Sequence, residues 1–125
     1  MNKKRKTEPV EQISNKVGSL MLDKKARDII LLDVREVTPM TDFFILCTAD
    51  SHPQARAIKN HIEDELVKEK IKPWHIEGIQ SMEWILMDYV NIVINVFSPK
   101  AREFYNLERL WGDAIVTEIS DEGKE

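Results

Sequence analysis

Apolar positions in this chain recur with two periods, and the switches between them divide it into elements. Val10, Ile13, Val17, Leu20 and Met21 recur at helical spacing and predict a helix over about residues 8–25. Gly18 lies inside it and weakens it by roughly 1 kcal/mol relative to alanine. The runs Ile29 to Val34 and Phe43 to Thr48 are nearly continuous in apolar residues, so they predict strands that sit centrally with both faces covered. Ser51 is a suitable helix cap, Pro53 fits a first helical turn, and Ala55, Ile58, Ile62 and Leu66 make a stripe to about Lys70. Trp74 to Glu77 is a short extended segment ended by Gly78. Trp84 to Asp88 and Ile92 to Phe97 predict a hairpin turning near Tyr89, and a last helix is expected over about residues 99–111.

The predicted order is αββαβββα. Consecutive strands without intervening helices predict an α/β chain of the α+β kind, one domain with a mixed sheet rather than a doubly wound one. The expected divisions are a flexible basic tail at residues 1–9, a domain over 10–114, and a polar C-terminal tail over 115–125. The length of 125 residues suits a single core.

Strand alternation sorts the hairpin residues. Ile92, Ile94 and Val96 point one way, toward a core. Asn91, Val93, Asn95 and Phe97 point the other way, and on the partner strand Trp84, Leu86 and Asp88 share a side. If a helix covers the amide-bearing side, these are core residues with satisfied amides. If none does, the side is an exposed patch of aromatic anchors with a polar rim, which is the anatomy of an interface.

Charge and chemistry narrow the function. A formal net charge of −4 argues against an electrostatic nucleic-acid binder as a whole. The stretch Lys3-Lys4-Arg5-Lys6 is the exception, with an auxiliary contact to RNA phosphate as its functional reading. No apolar run is long enough to span a membrane. The single cysteine, Cys47, allows no internal disulfide, fits a cytoplasmic location, and reads as an inert core thiol. His52, His61 and His75 make no zinc spacing with Cys47. His75 and Glu77 share one strand face and read as a surface pair. No glycine-rich phosphate loop and no Asp-x-Asp pair is present, so an enzyme using Asp33, Asp42 or Asp88 with magnesium is disfavoured and no cofactor is expected.

Five collinear blocks resemble the Iojap/ribosomal silencing factor family. They are Asp28-Ile-Ile-Leu-Leu-Asp33-Val34; Thr41-Asp42-Phe-Phe-Ile-Leu-Cys47-Thr48; Pro73-Trp-His-Ile-Glu77-Gly78; Trp84-Ile-Leu-Met-Asp88 through Val96-Phe97; and Arg102-Glu-Phe-Tyr105-Asn-Leu107-Glu108-Arg-Leu110-Trp111. The chain departs from the common pattern at Ala49, at Ser51-His52-Pro53-Gln54, at the turn Tyr89-Val90-Asn91, and at Asn95, where a histidine is frequent.

The resemblance implies a fold similar to nucleotidyltransferases without their catalytic apparatus. It further implies binding to the large ribosomal subunit through the ribosomal protein numbered fourteen, on the intersubunit face. Such binding would block joining of the small subunit and repress translation. The expected contact residues are Trp84, Asp88, Tyr89 and Phe97, with Glu77 as a nearby carboxylate and Arg102 and Tyr105 supporting or flanking. A homodimer of the free protein, formed by an exposed aromatic sheet face, is the alternative.

Overall fold

The computed structural model describes the backbone of residues 3–120 and the side chains of 9–106 and 109–120. Six strands form one sheet in the order β3-β4-β5-β2-β1-β6, comprising β1 (Arg27–Asp33), β2 (Phe43–Thr48), β3 (His75–Glu77), β4 (Trp84–Asp88), β5 (Ile92–Phe97) and β6 (Ile115–Ile119). β2 and β5 run parallel and every other pair is antiparallel, so the sheet is mixed as expected. The helices are α1 (Lys3–Asp23), α2 (His52–Val67), α3 (Pro99–Phe104) and α4 (Leu107–Leu110).

Two long helices cover one face. Val17 and Met21 of α1 and Ile58, Ile62 and Leu66 of α2 are buried against Ile45, Ile85, Met87 and Ile94. Both helices end alike. Lys25 and Lys70 adopt left-handed backbone, and the amides of Ala26 and Ile71 reach back to the carbonyls of Met21 and Leu66. This closure satisfies the last carbonyls and usually employs glycine. Ser51 caps α2 as the sequence indicates, its Oγ accepting from Gln54 N at 3.1 Å.

Three expectations need correction. The backbone of residues 3–9 continues α1 instead of standing outside it, with Pro9 inside the helix; the side chains of Lys3 to Lys6, and the RNA contact expected of them, lie outside the described residues. Residues 115–119 are not tail but strand β6, paired with β1 from Ile29↔Ile119 to Asp33↔Ile115; residues 121–125 lie outside the described residues. The last helix is two. Tyr105 leaves helical geometry, and Asn106 restarts the chain by accepting Arg109 N on its Oδ1 at 3.1 Å. An asparagine cap inside the expected helix competes with its continuation. Phe104 and Leu110, both inside the expected single helix, are 76% and 68% exposed.

The C-terminal end of β1 is tied to α1 by charge. Arg35 donates to both Asp33 oxygens at 2.9 and 2.6 Å and to Glu11 Oε2 at 2.7 Å, with its guanidinium over the Phe43 ring. The hydrogen bonds from Arg35 hold the Asp33 carboxyl below the usual aspartate range. A depressed folded value means the stabilisation is present above the unfolded value and is lost as pH falls through the folded one. Asp33→Asn is therefore expected to cost about 1 kcal/mol near neutral pH and to flatten the acid side of the stability profile. Thermal unfolding from neutral pH to about pH 3 checks this; parallel profiles for the two proteins would contradict it.

Candidate functional site: the open end of the second sheet face

The other face of the sheet is covered unevenly, and the cross-strand register shows how. One row runs His75, Asp88, Val93, Phe44, Leu32; the next runs Glu77, Leu86, Asn95, Leu46, Ile30; a third begins with Trp84 and Phe97. Helix α3 lies over Phe97, placing Ala101 in a second core with Leu32, Val34 and Leu46. Ser98 starts that helix by accepting Ala101 N at 3.1 Å, and Pro99 follows in the first turn. Tyr105 stacks on Trp84 at 4.5 Å between ring centroids, and Trp111 stacks on Phe44 at 5.5 Å.

Beyond that cover, the β3–β4–β5 end of the face is open. A shallow depression there is lined by Phe44, Leu86, Asp88 and Val93 and walled by Met40, Trp74 and Val90. The walls are strongly exposed, Trp74 at 74%, Met40 at 73% and Val90 at 56%. Trp74 precedes β3, and its amide donates to Asp88 O at 2.7 Å, which fixes its backbone against the sheet. Asp88 Oδ1 accepts Val90 N at 2.7 Å and so shapes the β4–β5 turn, where Val90 has a positive φ of 74°. His75 Nε2 and Glu77 Oε2 lie 2.7 Å apart, the surface pair the sequence suggests. Gly78 ends β3 with a φ of +86°, and an added Cβ would lie 1.9 Å from Trp84 O, so only glycine lets β3 meet the start of β4 there.

The expected contact residues therefore separate. Asp88 does line the open patch, and Glu77 lies on the same sheet face opposite Leu86 in register. Tyr105 is 42% exposed and packed on Trp84, and it lines a separate depression with Glu83, Lys100 and Phe104. Trp84 is only half-buried, yet its Nε1 donates to Asn95 Oδ1 at 2.8 Å and its ring rests against Phe97, so it is mainly a strut under Tyr105. Phe97 is fully buried beneath α3, so its expected role as a surface anchor is corrected. Tyr89 is also corrected. It follows Asp88, alternates to the opposite face, and joins the core under the long helices at 9% exposure. Arg102 points its Nη1 to Thr48 Oγ1 at 3.1 Å and lines a polar groove with Asp28 and Glu118, away from the patch.

Trp74, Met40 and Val90 were missed as candidates. The signal for Trp74 was a tryptophan after proline at the head of a three-residue strand, a place with little sheet to bury it. Met40 and Val90 give no comparable signal, since each sits in a loop.

The geometry also bears on chemistry. Asp33 lies on the face opposite Asp88, because Leu32 and Val34 face the second core. The two cannot meet on one ion. Cys47 is fully buried, and burial pushes its thiol up to about 12 against a small opposing effect of Arg102. Thiol-reactive dye is expected to label native protein no faster than global unfolding allows; prompt labelling of folded protein would contradict this. Among the described residues no helix is long and apolar enough to cross a membrane.

Comparison with known proteins agrees with this architecture. The family model described as "Ribosomal silencing factor during starvation" matches residues 7–125. A Bacillus subtilis protein named ribosomal silencing factor RsfS is 36% identical over 97 residues, covering 78% of this chain and 82% of that one. A mouse protein named mitochondrial assembly of ribosomal large subunit protein 1 is 30% identical over 96 residues, covering 74% of this chain and 42% of its own length. A crystal structure of a Chromobacterium violaceum protein superposes with a TM-score of 0.79 at 31% identity, covering 91% of this chain and 95% of that one. The chain belongs to the ribosomal silencing factor family, regulators of the ribosome and not enzymes.

Proposed function

We propose that this protein docks on the large ribosomal subunit with the open end of its second sheet face, and that its bulk there keeps the small subunit from joining. The partner is the ribosomal protein numbered fourteen on the intersubunit face, and the consequence is repressed translation in the cytoplasm. One observation carries the reading: Trp74, Met40 and Val90 project around an apolar floor that also holds Asp88, with Glu77 exposed on the same sheet face beside Leu86. An exposed aromatic anchor beside carboxylates suits a basic protein surface, and the formal net charge of −4 reinforces that preference. The mechanism is steric. No bond is made or broken, so no cofactor takes part.

Family membership supports a ribosomal target, and the mouse relative's name points to the large subunit. Lys3 to Lys6 would add a salt-sensitive contact to ribosomal RNA, and the free protein would pair with its own copy. The test is binding of the chain to purified ribosomal protein fourteen and to intact large subunits. Saturable binding to both supports the reading. Binding to the subunit alone moves the site elsewhere, and binding to neither removes the reading.

A further inference from the structure

Of the two edges of the sheet, β6 is the one open to pairing. β3 has three residues, follows Pro73 and Trp74, and stops at Gly78. β6 has five, Ile-Val-Thr-Glu-Ile, with no proline or lysine and four β-branched side chains. Among the described residues β6 pairs only with β1, so every second residue turns its backbone N–H and C=O to the unpaired side. Ile119 packs on the main core at Gly18, where an added Cβ would come within 2.2 Å of the Ile119 side chain, so the strand is seated while its outer edge stays free. The charge around that edge is negative. At the Ile119 end, Glu118 and Glu103 of α3 line one groove with Asp28, and Arg102 in the same groove donates to Thr48 Oγ1 at 3.1 Å. At the Ile115 end, Glu36 and Asp113 line a depression with Arg35, which Asp33 and Glu11 already hold. Among the described residues none of Glu36, Glu103, Asp113 and Glu118 is in an ion pair.

We infer that the free edge of β6 takes an extended basic segment of another protein as a further strand of the sheet. In such pairing the backbone bonds supply affinity and the side chains choose the occupant. Unpaired N–H and C=O groups call for a peptide, and carboxylates at both ends of the edge call for lysine or arginine on it. The faces of β6 make the match more specific. Glu118 stands in register with Ile30 and shares its groove with Glu103, while Thr117 stands with Leu31 and shares the other face with Ile115. Residues directly opposite on paired strands share a face. A segment that alternates basic and β-branched residues therefore sets its cations by Glu118 and Glu103 and its apolar side chains by Ile115 and Thr117. β6 and the docking patch lie at opposite ends of the strand order. This second surface goes beyond the ribosomal reading, stands on separate observations, and needs no ribosome for its test.

The test is binding of a labelled peptide of about eight residues, alternating lysine and valine and blocked at both ends, to the full chain. Fluorescence anisotropy gives the affinity, and backbone amide shifts in nuclear magnetic resonance give the place. The expected result is saturable binding that shifts the amides of residues 115–119 and weakens roughly tenfold as salt rises to about 0.5 M. Exchanging the peptide's lysines for glutamates, or methylating every second peptide amide on the pairing side, should each cost roughly tenfold or more. Glu103 and Glu118 are exposed, so the double variant Glu103→Lys with Glu118→Lys should fold normally, as circular dichroism would report. It should bind the lysine peptide roughly tenfold more weakly, while Trp74→Ala leaves that binding unchanged. Absence of saturable binding overturns the inference. So does binding that survives amide methylation, which is adsorption to charge alone, or shifts confined to the patch around Trp74. A second copy of the chain that covers the β6 amides and excludes the peptide overturns it as well.

Discussion

Phe97→Ala should destabilise the fold by about 3–5 kcal/mol. Phe97 is a large, fully buried side chain, packed between Trp84 on the neighbouring strand and Ala101 of α3. Its removal leaves a cavity under a helix of only six residues. The structure can relax only in part around such a void, so the lost transfer energy and the cavity both count. Domains of this size are stable by about 5–15 kcal/mol, so the variant would sit near the folding threshold. Urea unfolding followed by tryptophan fluorescence measures the change. A loss under about 1 kcal/mol would mean that α3 does not cover this position. Any loss of ribosome binding by this variant would follow from unfolding.

Trp74→Ala should do the reverse, leaving stability within about 0.5 kcal/mol and weakening large-subunit binding by roughly thirty-fold. The ring is 74% exposed, so its removal opens no cavity in the free protein. In a complex that covers the open patch, the same ring becomes a buried anchor. Tryptophans at the centre of interfaces are among the residues whose truncation costs about 2 kcal/mol or more. Asp88→Ala should weaken binding less and mainly at low salt, because a rim carboxylate acts through screened attraction. Its bond to Val90 N also shapes the turn, so melting temperature must be measured beside affinity. Unchanged binding by folded Trp74→Ala would exclude the patch as the docking surface.

Much of this architecture was legible because alternation and helical spacing report local geometry directly. The hairpin of Trp84–Asp88 with Ile92–Phe97 has the expected bounds, and the assignment of Ile92, Ile94 and Val96 to the core holds. The cap at Ser51 was legible for the same reason, a hydroxyl three residues before the amide it accepts from. What could not be read was coverage. The parity of Phe97 and Val93 puts both on one side, but only the path of α3 decides that Phe97 is sealed and Val93 stays at an open floor. That path depends on the break at Tyr105 and Asn106, inside a stretch that reads as one continuous helix.

β6 was hidden by its exposure. Four of its five residues are exposed, so it lacks the apolar and polar alternation that marks a half-buried strand, and its acidic surroundings resemble a tail. Its one core contact, Ile119 on Gly18, is a long-range fit between a strand and a helix about a hundred residues apart. Tyr89 shows a smaller failure of the same kind. It looked like turn surface because its neighbours are Asp88 and Val90, yet strand parity continues one residue past β4 and carries the ring into the core.

The most direct test of the central claim is sedimentation of purified large and small subunits, from the protein's own source, with the chain added before the subunits are mixed. The chain should travel with the large subunit alone, and the peak of joined ribosomes should fall as its concentration rises, with Trp74→Ala much weaker in both respects. If the chain travels with joined ribosomes and leaves their peak unchanged, steric exclusion is wrong, whatever else the protein does on the ribosome.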